Sequence, residues 1–102
     1  MRDILEKDIE QKLRKKVEAL GGRCLKWVCP GWSGVPDRIV LMPKGRIYFV
    51  ETKRPKGGKL SRLQLWWSAE LHRLGFAGYY VIWDEKDLEV FMAEVLKAPW
   101  KE

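Results

Sequence analysis

Three charged residues lie at the ends of two apolar segments in the stretch GVPDRIVLMPKGRIYFVETK, residues 34–53. Asp37 opens the first segment directly after Pro36, while Glu51 and Lys53 lie two residues apart near the end of the second. Proline has a fixed φ and no N–H donor, so it suits the mouth of a strand better than its middle. Side chains alternate between the faces of a strand, which places Glu51 and Lys53 on the same face.

The two segments are separated by PKG, with Gly45 in the expected turn, which is typical of a β-hairpin. An antiparallel hairpin brings the start of its first strand, at Asp37, opposite the end of its second, at Glu51. Two neighbouring carboxylates repel each other unless a cation lies between them. Mg²⁺ prefers such oxygen ligands together with water and a substrate phosphate, and Lys53 supplies a further positive charge. The pattern fits phosphodiester hydrolysis, although a surface salt bridge at the sheet end would use the same residues.

The elements around the hairpin predict a single α/β domain spanning residues 1–102. Hydrophobic periodicity and turn residues indicate the order α β β β α β α. The strand after the second helix requires a crossover, so at least one parallel strand pair is expected. We therefore expect a central mixed β-sheet flanked by helices. The helices are predicted over residues 3–20, 61–74 and 84–97, and the strands over residues 24–28, 37–42, 46–53 and 78–83.

Charge and composition narrow the classes of function. The net charge is +6, and residues 84–102 hold six acids and three bases, which leaves 17 bases and eight acids in residues 1–83. A polyanion is therefore a plausible partner, although solubility alone could account for the excess. Two cysteines and one histidine are too few for a zinc site. No apolar run approaches a membrane span, and we expect a cytoplasmic protein of a bacterial or phage-infected cell without a membrane partner.

The stretch GVPDRIVLMPKGRIYFVETKRPKGGKLSRLQ resembles the core of the VRR-NUC domain, the virus-type replication and repair nucleases of the PD-(D/E)XK superfamily. The similarity extends over nearly the whole chain. It implies a restriction-endonuclease-like core in which Asp37 and Glu51 bind Mg²⁺ or Mn²⁺. By the same resemblance, the backbone carbonyl of Thr52 is a further metal ligand and Lys53 assists the attacking water. The threonine between Glu51 and Lys53 is a mild departure, because an apolar residue is more usual there.

The family also carries a glutamate in the first helix that completes the site. Both Glu6 and Glu10 are candidates here. Measured from Ile9 on a helical wheel, Glu6 projects at about 60° and Glu10 at about 100°. Glu6 is the more inward-facing of the two and is favoured, while a carboxylate at the helix edge with no role in the site remains the alternative.

Residues beyond the hairpin could position or bind a nucleic acid. Gln64 matches the family's glutamine after the basic loop, but Ser61 and Gln64 also form a capping box, and both roles can coexist. Trp32 lies on a glycine-flanked loop where it could stack on a base or fold onto the core. The basic residues of the loop could follow a phosphate backbone or be merely solvated. They are Arg54, Lys56, Lys59 and Arg62.

The leading interpretation is a metal-dependent DNA endonuclease that is selective for branched DNA such as four-way junctions. Its proposed site residues are Glu6, Asp37, Glu51, Lys53 and Gln64. A homodimer is expected, because Trp66 and Trp67 are difficult to bury together in a small monomer and because small members of the family are dimeric. The alternatives are a catalytically inactive nucleic-acid-binding module and a replication accessory subunit, both with the nuclease fold.

Overall fold

The computed structural model describes residues 6–53, 58–76 and 79–95, apart from the side chains of Glu6, Glu94 and Val95. Within these residues the chain forms a four-stranded sheet with helices on both faces. The strands are β1 (Arg23–Lys26), β2 (Arg38–Met42), β3 (Arg46–Thr52) and β4 (Tyr79–Ile82). The helices are α1 (Glu6–Ala19), α2 (Arg62–Arg73) and α3 (Glu85–Val90).

The strands lie in the order β1-β2-β3-β4. The pairs β1–β2 and β2–β3 are antiparallel, and β3–β4 is parallel. Since α2 lies between β3 and β4 in the chain, the parallel pair is closed by the helical crossover that the sequence predicted. The mixed sheet and the element order are therefore confirmed.

The β2–β3 connection is a tight turn over Pro43–Gly45. Lys44 and Gly45 both adopt left-handed backbone conformations, with φ of 70° and 73°. Glycine takes this conformation at little steric cost, which explains Gly45, whereas Lys44 is the one described residue other than glycine with a positive φ. The turn sets the pairing of Met42 with Arg46 and thereby the register of the whole hairpin.

Helices α1 and α3 cover one face of the sheet and enclose the main core. Ile9, Leu13 and Val17 of α1 are fully buried, at the helical spacing the sequence showed. They pack in one cluster with alternate residues of the strands and with two residues at the C-terminal end of the described chain. These partners are Cys24, Val40, Met42, Tyr48, Val50, Ile82, Leu88 and Phe91.

Helix α2 covers the opposite face mainly through aromatic contacts. The rings of Trp27 and Trp67 lie 6.3 Å apart, and those of Phe49 and Phe76 lie 5.1 Å apart in an edge-to-face arrangement. Leu71 is buried beneath the helix at 3% exposure. This face carries Glu51 and Lys53, because odd-numbered residues of β3 point towards α2.

The end of the described chain departs from the prediction of a continuous third helix over residues 84–97. Asp84 caps α3 by accepting a hydrogen bond from the Asp87 backbone N–H, as expected. The regular helix ends at Val90, and Phe91–Val95 continue as a π-helix. In the parts of the chain that are described, no helix combines the length and apolar character needed to cross a membrane.

Candidate active site

The hairpin register places the two predicted acids at the same edge of the sheet. Arg38 pairs with Val50, so the register continued by one residue sets Asp37 opposite Glu51. At the last residue of β3, the backbone N–H of Thr52 donates to Asp37 Oδ2 at 3.3 Å. The backbone N–H of Lys53 donates to the Ile82 carbonyl at 3.0 Å, which holds this end of β3 against β4.

Glu51 is buried at 2% exposure, which is unusual for a carboxylate. Its Oε2 accepts a hydrogen bond from Gln64 Nε2 at 2.8 Å and lies 3.4 Å from Lys53 Nζ. Its Oε1 is buried and has no hydrogen-bond partner among the described residues. A buried carboxylate oxygen without a partner costs free energy, so this atom is placed to accept a ligand from outside the chain.

The surroundings of Glu51 favour its neutral form. Burial and, after it, the Asp37 charge raise the pKa of Glu51 to about 7, although Lys53 offsets part of the increase. The hydroxyl of Tyr79 is also buried near this carboxylate but completes no hydrogen bond of ordinary geometry with a described residue. Burial, followed by the charges of Glu51 and Asp37, raises the pKa of Tyr79, so its hydroxyl keeps its proton.

A second set of hydrogen bonds joins α1 to the same strand end through the Thr52 side chain. Thr52 Oγ1 lies 3.0 Å from Glu10 Oε1 and 3.3 Å from Asp37 Oδ2. Arg38 donates to Glu10 Oε2 at 2.8 Å, and both side chains are mostly buried. Thr52 therefore links Asp37 to Glu10 of α1, while Asp37 also lies beside Glu51 across the hairpin.

Of the two helix glutamates considered from the sequence, Glu10 is the one whose side chain is described. It reaches Thr52 and Arg38, although the helical wheel places it further from the core than Glu6. A wheel gives the direction of the Cα–Cβ bond, whereas three further bonds let a glutamate extend sideways to a partner. The Glu6 side chain lies outside the described residues, so its assignment to the site stays a prediction.

Gln64 forms the predicted capping box and also contacts Glu51, while its role in a catalytic site stays a prediction. Ser61 Oγ accepts from the Gln64 backbone N–H at 3.1 Å, and Gln64 Oε1 accepts from the Ser61 N–H at 2.9 Å, which completes the capping box. Its amide nitrogen is left to donate to Glu51. The cap therefore fixes the side chain that orients one oxygen of Glu51.

The loop before Asp37 packs tightly against the first turn of α2. Gly34 has a φ of 82°, and a Cβ placed on it would lie 2.5 Å from Leu63 Cβ and 3.1 Å from the Gln64 nitrogen. A side chain would therefore clash as well as strain the backbone. Glycine at this position allows the loop that carries Asp37 to approach the helix that carries Gln64.

Three of the five residues predicted to contact nucleic acid lie in the described part of the chain. Trp32 is 61% exposed and packs edge-to-face on Trp67 at 5.8 Å, so it neither folds into the core nor stands alone. Lys59 and Arg62 are exposed next to the start of α2. Arg54 and Lys56 lie outside the described residues and stay predictions.

The donor set fits a hard divalent cation held partly by water. Across the described ranges, no cluster of three or more His, Cys, Asp or Glu side chains is arranged to hold a metal ion. Asp37 and Glu51 form a pair instead, and the partnerless Glu51 Oε1 offers a ligand oxygen. Mg²⁺ commonly uses one or two carboxylates and completes its shell with water and phosphate, so a pair is enough.

Sequence reasoning missed two contributors to the site. Tyr79 was treated only as part of the last strand, and Arg38 only as a strand residue following Asp37. The parallel pairing of Phe49 with Tyr79 is the signal that would have found Tyr79, since it sets this residue on the same face of the sheet as Glu51, two positions away along β3. Nothing in the spacing of Arg38 indicates its ion pair with a helix residue 28 positions earlier.

Comparisons with known proteins establish the family of the chain. A scan against models of protein families gives no match. The chain is 42% identical over 95 residues to a protein of Acyrthosiphon pisum secondary endosymbiont phage 1 named "Putative nuclease p44", which aligns over 93% of this chain and 99% of that protein. A solved structure described as "VRR_NUC domain" superposes with a TM-score of 0.81 at 29% identity, covering 87% of this chain and 95% of the other. The chain therefore belongs to the VRR-NUC domain nucleases.

Proposed function

We propose that this nuclease is a Mg²⁺- or Mn²⁺-dependent endonuclease that hydrolyses DNA phosphodiester bonds and prefers branched DNA such as four-way junctions. The observation that carries the proposal is the buried Glu51, whose Oε1 has no partner among the described residues and whose neighbour across the hairpin is a second carboxylate. A structural salt bridge would satisfy both oxygens of a carboxylate this deeply buried, and Lys53 and Gln64 satisfy one.

Asp37 and Glu51 would hold the metal ion, with the Thr52 carbonyl as a further ligand and the helix glutamate nearby. Glu6 remains the predicted helix ligand, and the contact of Glu10 with Thr52 supports Glu10 as an alternative. When bound, the metal ion would polarise a phosphoryl oxygen and lower the pKa of a water molecule. It would also remove the repulsion between the two acids, which otherwise favours protonation of Glu51.

The chain's own side chains divide the remaining tasks. Lys53 is 18% exposed at its side chain, which puts its ammonium group within reach of solvent and of a phosphate. There it would orient the attacking water or offset negative charge that develops on the phosphate. Gln64 holds Glu51 Oε2, which would leave Oε1 to serve as a metal ligand. Thr52 holds Asp37 through its backbone N–H, and its hydroxyl donates one proton that Asp37 shares with Glu10.

The surface around the site supports a nucleic-acid substrate. Lys59 and Arg62 are exposed beside the start of α2 and offer contacts to phosphates that carry no base preference. We also propose that the protein works as a homodimer in the cytoplasm of a bacterial or phage-infected cell. The exposed apolar side chains Leu65 and Leu74 of the α2 region, at 55% and 54% exposure, support the dimer. The phage origin of its relative supports the location.

The test compares cleavage of linear, flapped and four-way DNA by the wild type, Asp37→Asn and Lys53→Ala, each with Mg²⁺, Mn²⁺ or chelator. We expect wild-type cleavage to need metal and to be fastest on the branched substrates. Each variant should lose about 100-fold or more in rate, the usual cost of removing a group that stabilises transition-state charge. Glu18→Gln, which changes an exposed carboxylate on α1, is the matched control and should cut like the wild type.

Binding measured in parallel separates the proposal from its main rival. If the protein is an inactive binding module, both the wild type and Asp37→Asn will bind DNA, and neither will cut it with Mg²⁺ or Mn²⁺. That result, or cleavage that persists in chelator, would contradict the proposed mechanism. Equal rates on linear and branched DNA would contradict the selectivity alone.

A further inference from the structure

A groove lined by tryptophans lies beside the proposed catalytic residues and has no task in phosphodiester hydrolysis. It has a volume of about 240 Å³ and lies between the loop that precedes Asp37 and the first turns of α2. The lining residues are Gly31, Trp32, Ser33, Leu63, Trp66 and Trp67. We name this feature the tryptophan groove.

The tryptophans of the groove pack on one another, and the central one, Trp67, also packs on Trp27. Trp67 is half-buried, and its indole N–H donates to the Ser33 carbonyl at 3.0 Å, which ties helix to loop. Trp32 and Trp66 both stand nearly perpendicular to Trp67, at 77° and 87°, with centroids 5.8 and 5.1 Å from it. The outer two rings remain 61% and 49% exposed, so their faces are available to a ligand.

Both walls of the groove adjoin residues of the proposed catalytic site. On the loop side, Trp32 is five residues from Asp37, a separation of at most about 17 Å. On the helix side, Leu63 lines the groove and the next residue, Gln64, donates to Glu51. Close packing of Gly34 on Leu63 fixes the two walls relative to each other. A strand with a phosphate at the acids therefore has a nearby base within reach of the groove.

The chemistry of the groove suits a nucleobase better than a phosphate. Its residues are aromatic, apolar or small, and none of them carries a charge. Its volume is below the roughly 300–1,000 Å³ typical of pockets for drug-sized ligands, so it suits one flat ring system. Tryptophan faces stack on any base, because every base presents a π-face.

We propose that the tryptophan groove binds one unpaired base of the substrate by stacking on Trp32 and Trp66. This inference rests on the proposed function and adds how the same site would recognise a branched substrate. A base within a continuous duplex is already stacked and must be extruded at a cost, whereas an unpaired base at a branch point is free to enter. The groove would thus favour junctions through the base that they leave unpaired.

The experiment measures binding in chelator, so that the readout does not depend on cleavage. The probes are two flapped duplexes that differ at the unpaired nucleotide next to the branch, which carries 2-aminopurine in one and an abasic residue in the other. We expect the wild type to bind the base-containing probe about tenfold more tightly and to quench its fluorescence. Trp32→Ala and Trp66→Ala should abolish the preference, and Trp32→Phe and Trp66→Phe should retain most of it.

Two controls distinguish a base contact from other effects. Lys59→Ala should weaken binding to both probes equally and reduce its salt dependence, as expected of a phosphate contact. Val28→Ala removes an exposed apolar side chain outside the groove and should leave the preference unchanged. Circular dichroism of each variant checks that it is folded.

An unchanged preference in both alanine variants would overturn the proposal. So would a shift of Trp66→Ala from dimer to monomer in sedimentation with the base preference intact, because the groove would then be a contact between copies of this chain. Failure of the proposed function would be seen separately, as absence of metal-dependent cleavage by a wild type that still prefers the unpaired base.

Discussion

The charge state of Glu51 makes the stability of the metal-free protein depend on pH. Its pKa is raised from 4.5 to about 7 in the folded protein, first by burial and then by the Asp37 charge. In the unfolded chain the ordinary value applies, so between these two pH values the folded protein holds a proton that the unfolded chain has released. The contribution of Glu51 to the unfolding free energy is therefore fully present below pH 4.5 and is lost as the pH rises to about 7.

The size of this effect follows from the shift. A difference of about 2.5 pKa units at 1.36 kcal/mol each corresponds to about 3 kcal/mol of unfolding free energy. That is a large fraction of the 5–15 kcal/mol typical of a folded domain. Because Asp37 and Glu51 interact closely, the contribution belongs to the pair rather than to Glu51 alone.

Replacing Glu51 with glutamine isolates the contribution. The amide keeps an acceptor for Gln64 and has no charge to desolvate, so Glu51→Gln should be more stable than the wild type above pH 7 and lose this advantage near pH 4.5. Urea unfolding of chelator-treated protein from pH 4.5 to 8 measures the difference, which should change by about 3 kcal/mol. Glu18→Gln changes an exposed carboxylate, so its unfolding free energy should vary with pH as that of the wild type does.

Parallel stability profiles for the wild type and Glu51→Gln would refute the reasoning, since they would show that Glu51 titrates alike in the folded and unfolded chains. Repeating the unfolding measurements with Mg²⁺ extends the test. At the proposed site Mg²⁺ would compete with the proton for the carboxylate. It should therefore stabilise the wild type more at pH 8 than at pH 5.5, and Glu51→Gln much less at either pH.

Four further substitutions, one of them a control, test the contacts around the site. Gly34→Ala should lower the unfolding free energy by about 3 kcal/mol and slow cleavage, because its Cβ would lie 2.5 Å from Leu63. Gly31→Ala is the control: its φ is 86° but the space around it is open, so it should lower the unfolding free energy by only about 1 kcal/mol. Urea unfolding midpoints measure both changes. Thr52→Val should cost about 2 kcal/mol in the same assay, since the buried hydroxyl lies within hydrogen-bond distance of two carboxylates. Ser61→Ala should lower the unfolding free energy by about 1 kcal/mol through loss of the helix cap, and equal stability would show that the cap is dispensable.

The β2–β3 hairpin could be predicted because local sequence determines it. Pro36 marks the entry to the first strand, and Gly45 permits the tight turn, so the register that opposes Asp37 and Glu51 follows from the length of the loop. The capping box at Ser61 is equally local, since its two hydrogen bonds join residues three apart. Patterns that extend over a few residues report such features directly.

Features that depend on distant packing were harder to predict. The reach of Glu10 to Thr52 depends on how α1 lies across the sheet, which no helical period specifies. The change to a π-helix at Phe91–Val95 alters the hydrogen-bond pattern without altering the apolar pattern that predicted one continuous helix. Trp66 reads as a core or interface residue from its type, whereas nearly half of its surface is exposed in the described chain.

The topology separates the active site into parts that differ in folding order. The strand pairs β1–β2 and β2–β3 join residues close in sequence, whereas β3–β4 pairing must first close the long connection through α2. Local contacts form faster than distant ones, so we expect the two acids to meet early and Tyr79, which is brought in by the β3–β4 pairing, to arrive late. A half-folded chain would then hold an exposed pair of like charges, and a divalent ion captured at that stage would act as a folding template before the enzyme is complete.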